Sequence, residues 1–543
     1  MHDPIVSTKR RRIFGLTEIA AIVVLAMVPL FNTFPYRVNI FLSWEGAWRL
    51  SEGQIPYKDF GMPVGYMFWV IPAIFFKIFG AQLFTLVKAQ VFINIISGLA
   101  FRSILKSLDV QPGIRLLSVL LYCISFSFFN FWPWYNHTVI VYEMVGLAFL
   151  MHYIFSADRN WIWLSISALF IFFSFFTKQD GGGLAFILAF VLLAYHCYFH
   201  RKWMPLAIFT GSFAIVAIAI IAPLTRFNFG YWFNHGQAPH TARFSVMEVV
   251  DEFFNGSQWI KFYLFITILF VFASFRSWKT FFSEKRNMVF LLLTLGILAQ
   301  AVIFGVTSYT PPDNNIFYHS FAFAYILSAL AGALQLDFSR FKPLLAAGFG
   351  LLLWWSGVFW KYMQRVIDRV MPAAEARATG AENVVNRKTY MIHQDTTEIP
   401  MSEWRFTSLK SFERIYMPGP TVDGIERLMN MDLVKKGKNL KVLNMTELTP
   451  LVVEMGYQPE RGPGVPLWHH LGVSMFNREA EAYENRIKAR AYDLVLFEYI
   501  PTLNNFYPFR VRDSLQQYYN KTDSFPAPRR GDTKGWIEVY TRP

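Results

Sequence analysis

The sequence predicts an α-helical polytopic membrane protein of about eleven spans, followed by a C-terminal extracytoplasmic α/β domain. Three observations lead there. Of 543 residues, 54% are hydrophobic and only 16% charged, against roughly 25% charged in soluble proteins, and the mean hydropathy is +0.31. Apolar runs long enough to span a bilayer recur up to about residue 360. Beyond that point charged helical patterns alternate with short strand-like runs.

The chain begins with a basic patch, Lys9 to Arg12, and an apolar run near 16–34. This resembles a signal peptide, but no small-residue cleavage motif follows it, so a retained anchor is expected. Further spans are expected near 84–105, 113–131, 137–155, 160–177, 182–199, 204–224, 258–275, 287–306, 315–335 and 342–360. The run 64–80 is shorter and contains Pro72 and Lys77. If it lies flat on the outer surface, Arg102, Lys106, Arg115, Arg201, Lys202, Arg276, Lys285, Arg286 and Arg340 join Lys9 to Arg12 on one side. That satisfies the positive-inside rule, and a spanning 64–80 would destroy it. The expectation is therefore an interfacial helix there, a cytoplasmic N-terminus and an extracytoplasmic C-terminus. The membrane domain is 1–360, with an acidic first outer loop at 35–83, and the soluble domain is 361–543.

The soluble part opens with a charged, Ala-rich helical lead-out after residue 360. KVLNM, YDLVLFEYI and WIEVYTR then read as strands, and GIERLMNMDLVKKG and REAEAYENRIKARA as amphipathic helices. PGP, RGPGVP and APRRGD mark turns. The net charge of +14 does not point to nucleic acid, because the basic residues fall largely in short loops between apolar runs, where they orient helices and meet anionic headgroups. Both cysteines, Cys123 and Cys197, lie in apolar runs, so there is no disulfide framework.

Candidate chemistry gathers on the expected outer face. The first loop holds Glu45, Glu52 and Asp59, and carboxylates beside hydrocarbon usually mark protons, ions or polar substrates. Asp59 lies in PYKDFGMPVGY, a turn fixed by Pro56, Gly61 and Pro63. It reads as a general base or substrate-positioning acid, against the ordinary use of Asp as a cap. Glu45 and Glu52 share one helical face, with Glu45 toward the membrane mouth and Glu52 solvated beside Gly53.

Lys178, in FFTKQDGGGLAF, suits a phosphate that the backbone approaches closely, against a snorkelling lysine with Asp180 as its structural partner. Arg226 ends a span and reads either as a phosphate clamp or as a headgroup anchor. His137, following FWPWYN, and His319, following NNIFY, sit at outer boundaries; His235 lies in the long outer loop 225–257, and Asp313 in SYTPPDNNIFYHS. No HExxH, P-loop, dinucleotide fingerprint or GxSxG elbow is present. No cofactor is fixed by the sequence; a divalent metal ion held by these histidines and Asp59 stays open, with no recognised spacing behind it.

The order of features is itself informative. A basic N-terminus, one span, an acidic outer loop ending GQIPYKDF and PVGY, then IPAIFFKIFG, resembles the GT-C membrane glycosyltransferases. It is similar in particular to the bacterial branch related to protein O-mannosyltransferases and lipid A aminoarabinose transferase. The resemblance covers the first hundred residues best, the TKQDGG turn and the layout as a whole, and the C-terminal domain only in position and type. It implies transfer of a sugar from a polyprenyl-phosphate carrier to an envelope glycan, lipid or protein, at the outer face of a bacterial inner membrane.

By this resemblance Glu45 would be the first-loop catalytic acid and Asp59 the second acidic position. Lys178, Arg226 and Lys58 would neutralise the carrier phosphate, and His137, His319, Tyr318 and Asp313 would line the acceptor or sugar pocket. One departure stands out: the family commonly places an Asp, or an Asp-Glu pair, just after the first span, where counting back from Gly53 puts Asn39. Either Glu45 has taken the role, Asp59 acts alone, or the chain has lost catalysis.

The implied chemistry needs cations around a leaving phosphate and one carboxylate to accept the acceptor hydroxyl's proton in an inverting displacement. A transporter or flippase of lipid-linked sugars, or a non-catalytic scaffold, would present similar groups. Few ionisable residues lie mid-span, Glu143 being the clearest, and this favours a one-sided surface enzyme over a transport path.

Overall fold

The computed structural model describes residues 8–354 and 399–543 except 126–127, 129, 237–244, 276, 309–315, 437–438, 504–506 and 530–532, together with Ser356, Trp360 and Met363. Arg276, Asp313 and most of the expected lead-out after residue 360 lie outside the described residues.

The first part is a helical bundle. Its helices are α1 (Thr8–Met27), α2 (Ile40–Ser51), α3 (Met67–Phe79), α4 (Leu83–Ser107), α5 (Pro112–Ile124), α6 (Tyr135–Phe155), α7 (Ile162–Thr177) and α8 (Gln179–His200). They continue with α9 (Met204–Ile221), α10 (Val246–Asp251), α11 (Gln258–Ser274), α12 (Trp278–Ser283), α13 (Lys285–Ser308), α14 (Ile316–Leu334) and α15 (Phe341–Trp354). A helix stands at each of the eleven expected spans.

Length is less uniform than the apolar runs suggest. Among the described residues, six helices are long and apolar enough to cross a membrane: α1 with its continuation to Phe31, α4, α6, α8, α9 and α13. A seventh is reached if the segments Val246–Gly256 and Gln258–Ala273, bent by 80°, form one span. The helices α5, α7, α14 and α15 are apolar but shorter.

Polar contacts at the two ends of the bundle fix which loops face the same way. At one end Glu18 takes Arg102 at 2.6 Å and Arg115 at 2.9 Å, Arg286 meets Asp109 at 3.0 Å, and Lys285 donates to the carbonyl of Ile154. At the other end Ser43 donates to the carbonyl of Pro133, Gly65 N–H to Thr177 and the Gln179 side chain to Trp232. The chain therefore alternates between the ends from one expected span to the next. The helix α3 does not cross: its start follows Gly65 at the second end, and Ala81, just past its C-terminus, accepts from Trp44 Nε1 at 3.3 Å in α2.

The C-terminal part sits on that second end and is tied into the bundle's own loops. Strand β1 (Phe34–Pro35), directly after the first span, pairs in parallel with β3 (Ile415–Pro418), which pairs antiparallel with β2 (Trp404–Phe406). A second, four-stranded sheet runs β4 (Val442–Met445), β5 (Leu494–Tyr499), β7 (Trp536–Thr541), β6 (Asn520–Pro526). The three expected strands are β4, β5 and β7, whose inner residues are nearly all buried. Strand β6, NKTDSFP, carries no apolar signal because it is an exposed edge, where polar residues protect against unwanted pairing.

The first loop is less polar in place than its sequence suggests. In α2 the buried positions run from Ile40 to Ser51 with few gaps, including Phe41, Trp44 and Trp48. One face meets α3, where Gly46 leaves room for the Trp69 indole, whose Nε1 donates to Leu42 at 2.9 Å. The other face meets the C-terminal part, so Phe34, Trp44 and Trp69 share a core with Leu494 and Val539.

Gly65 is the tightest of these joints: a Cβ there would overlap the carbonyl oxygen of Phe176 in α7. Overpacking against backbone that cannot move aside destabilises by about 1–3 kcal/mol. Gly65→Ala is therefore expected to lower the thermal unfolding temperature of the detergent-solubilised protein, whereas Gly183→Ala, where nothing lies within 4 Å of the added carbon, leaves it nearly unchanged.

Candidate functional site

The turn after α2 organises the site. Asp59 Oδ2 accepts the Ile55 N–H at 2.7 Å, closing the turn IPYKD, and Tyr57 takes a left-handed φ of 68° within it. The turn is stitched to the RGPGVP segment: Gly462 N–H donates to Asp59 O, Gly61 N–H to Val465 O, and Leu467 N–H to Gly61 O, at 2.8–3.0 Å. Asp59 thus fixes its own turn, and its exposed neighbour Lys58 projects into the groove beyond.

That groove is a cavity of about 640 Å³. Four separate stretches of chain line it: Lys58 from the turn, Arg226 and His235 from the segment after α9, Pro463 and Gly464 from RGPGVP, and Arg478, Glu479 and Arg486 from the helix Phe476–Lys488. Lys58 and Arg226 both lie against the Phe227 ring, 5.8 and 5.0 Å from its centroid. Arg486 is paired with Glu460 at 2.8 Å. Burial, then the nearby Arg478, lower the pKa of His235, so it stands neutral near pH 7. Lys58, Arg226 and Arg478 around one concave wall focus a positive field on an entering anion, while Arg486 is held by Glu460.

Set into this wall is Glu479, only 2% exposed. Its Oε1 accepts the Tyr231 hydroxyl at 2.6 Å, while Oε2 is buried without a hydrogen-bond partner. Burial pushes its carboxyl up to about 7, against the pull of the Tyr231 hydrogen bond.

A second, smaller cavity of about 80 Å³ lies between α2 and the C-terminal part. Its walls include Glu45 and Trp48 from one side and Thr449, Trp468, His469 and Tyr483 from the other. Glu45 Oε1 takes both Arg49 Nε and the adjacent guanidinium nitrogen at 2.8 Å, and Arg49 reaches on to Gln54 and to the carbonyl of Glu460. The two cavities adjoin: Tyr483 lines the small one and Glu479, one turn earlier on the same helix, lines the large one.

Of the residues singled out from sequence, the fold brings Lys58, Arg226 and His235 together and puts Glu45 in the neighbouring cavity. The following stand elsewhere. Lys178 breaks α7 from α8 in an extended conformation, with Nζ 3.0 Å from Asp180 Oδ2 and about 6 Å from the Tyr135 and Phe304 ring centroids. It lines neither cavity, because the paired Asp180 and the rings hold it inside the bundle end. His137 sits in the first turn of α6 and lines neither cavity. Tyr318 and His319 start α14, with His319 Nδ1 2.9 Å from the Tyr263 hydroxyl and its ring beside Trp259, in aromatic packing away from both cavities. Asp313 lies outside the described residues.

At Asn39 the backbone is left-handed, φ 69°, and its N–H donates to Glu447 Oε2 at 3.1 Å. Glu447 and Glu498 together clamp the buried Arg529 guanidinium. Burial raises the Glu447 carboxyl to about 8 even with Arg529 pulling it down. At the position where the resemblance expects an acid, the backbone N–H of Asn39 thus meets a carboxyl from the C-terminal part.

Glu479, Arg478 and Arg486 were not singled out from sequence. A signal was there for the first: Phe476, Glu479, Ala480, Tyr483 and Ile487 form the buried face of their helix, so a carboxylate falls on an apolar stripe. Among the described residues no group of three or more His, Cys, Asp or Glu side chains is placed to hold a metal ion.

No protein-family model and no curated protein matches the chain by sequence. Solved structures do match in shape. The arabinofuranosyltransferase AftD from Mycobacteria aligns with 98% of this chain and 40% of its own, at 11% identity and a TM-score of 0.50. ArnT from Cupriavidus metallidurans aligns with 97% of this chain and 98% of its own in the apo state, at 11% identity and a TM-score of 0.48. The same protein bound to undecaprenyl phosphate gives 11% identity and a TM-score of 0.47, over 96% of this chain and 97% of its own. With the helical bundle, the buried first loop and the capping sheets in place, the chain shares its fold with the arabinofuranosyltransferase AftD.

Proposed function

We propose that this protein transfers a sugar from a polyprenyl-phosphate carrier to an envelope acceptor, in one inverting displacement at the bundle end that bears the C-terminal domain. The observation that carries the proposal is a buried, half-partnered carboxylate, Glu479, in the wall of a cavity that four cations also line. A GT-C fold shared with an arabinofuranosyltransferase agrees with sugar transfer.

The roles follow from charge and acidity. Lys58, Arg226 and Arg478 stabilise the phosphate as it gains charge in leaving, the kind of preorganised electrostatics that lowers such barriers most. Glu479 accepts the proton of the attacking hydroxyl. A base with a pKa near the working pH is the efficient one, and with Oε1 taken by the Tyr231 hydroxyl the buried, unpartnered Oε2 is the oxygen left to take the proton. Asp59 acts by aiming Lys58, since its carboxylate closes the turn that carries the lysine. The apolar helices beneath give the isoprenoid tail a place to lie.

The test is sugar transfer from a radiolabelled polyprenyl-phosphate pool in membranes with matched protein levels. Glu479→Gln is expected to lower the rate by roughly 10²–10⁴-fold, the usual worth of a positioned base. Transfer at the wild-type rate in that variant would sink the assignment.

Lys58→Ala and Arg226→Ala each remove a charged contact worth about 1.5–3 kcal/mol and should lower kcat/KM for the carrier by roughly tenfold or more. Unchanged kcat/KM in both would move the phosphate elsewhere. Glu479 must be ionised to accept a proton, so kcat/KM should climb with pH through about 7 and fall away below it. Residual activity in Glu479→Gln should lack that limb.

A further inference from the structure

The smaller cavity has walls that phosphate chemistry does not use. The indoles of Trp48 and Trp468 and the rings of Tyr457 and Tyr483 line it. Between them stand polar atoms with nothing to bind: His469 Nδ1 and Thr449 Oγ1 are buried without hydrogen-bond partners, on side chains 9% and 6% exposed. Leaving such atoms unsatisfied costs about 1–3 kcal/mol each, which a ligand hydroxyl would recover. Burial lowers the pKa of His469 to about 4, so its ring is neutral and offers one donor and one acceptor.

The charge pattern separates this cavity from its neighbour. Glu45 neutralises Arg49, and Glu460, also in the wall, is held by Arg486, so no net cation awaits an anion. The volume of about 80 Å³ holds roughly five waters by that measure, room for one edge of a sugar ring whose remainder stays at the cavity mouth. A sugar ring presents C–H faces for aromatic rings and hydroxyl edges for a carboxylate, an imidazole and a threonine.

We infer that the cavity between α2 and the C-terminal domain is a binding subsite for a single neutral sugar ring. Glu45 and Thr449 would take its hydroxyls, with His469 as donor or acceptor between them. The ring then sits about one helical turn from Glu479, because Tyr483 and Glu479 are four residues apart on one helix face. The ring belongs either to the lipid-linked donor or to the end of an acceptor glycan; for that choice alone the inference rests on the transfer reading.

The experiment is saturation-transfer NMR on the full-length protein in detergent, with methyl α-mannoside, methyl α-glucoside, methyl α-galactoside and methyl α-arabinofuranoside as probes. Wild type is expected to bind at least one glycoside in the millimolar range. Thr449→Phe, which fills the cavity, and Glu45→Gln and His469→Phe, which remove its polar contacts, should each weaken that binding at least tenfold at an unfolding temperature within a few degrees of wild type.

No binding of any glycoside, or binding indifferent to all three substitutions, overturns the inference. In the transfer assay, inhibition by the bound glycoside that more carrier-linked sugar relieves assigns the ring to the donor, and inhibition that more acceptor relieves assigns it to the acceptor. Glycoside binding without any transfer activity keeps the subsite and rejects the enzyme reading; transfer without glycoside binding does the reverse.

Discussion

The site depends on one joint: the docking of the segment after the first span onto the C-terminal domain. The Tyr36 hydroxyl donates to the carbonyl of Glu447 at 2.6 Å, Asn39 N–H to its carboxylate, and Glu447 N–H to Glu498 Oε2 at 2.8 Å. Arg529 lies between the two carboxylates with 2% of its side chain exposed. A buried cation with two acids is worth little as net stability compared with apolar packing, but removing one partner strands the others at a cost of about 3–5 kcal/mol. Such a cluster fixes where the first loop sits more than how firmly the whole chain holds together. Both cavities inherit that placement, since α2 forms a wall of one and the turn after it supplies Lys58 to the other.

The division of labour across the joint follows from solvation. The bundle supplies rigid helix ends and an apolar floor. The C-terminal domain supplies most of the charged groups, which are cheaper to keep where water is close than among spans. Glu479 is the exception that matters: it is pressed into the seam between the two, and its raised pKa reflects the loss of water there.

How much of this was legible depends on the range of the interactions. The eleven helices and the strands β4, β5 and β7 write themselves into local periodicity, and the resemblance in GQIPYKDF pointed to the GT-C arrangement. Lys58 and Arg226 were readable as cations at span boundaries, though nothing local said they would meet over the Phe227 ring. Lys178 looked the same in sequence and folded into a pair with Asp180 inside the bundle. Glu45 and Asp59 drew attention as acids in an apolar chain, while the loop that holds them proved to be a buried helix and a stitched turn. Glu479 was masked because its helix reads as an ordinary amphipathic one; its burial is created by Tyr231, 248 residues away, and no window of sequence contains both.

The pairing of β1 with β3 also sets a timetable for making the protein. The strand at 34–35 is synthesised first, and its partner at 415–416 is not yet made. At about 5–20 residues per second, the interval is roughly 20 to 80 s. During that time the greasy α2 segment waits without its cover, and every later span must insert before it is closed in. The C-terminal strands thus act as the seal on the first loop, and the face of α2 that carries Phe41 and Trp48 stays uncovered until the seal arrives.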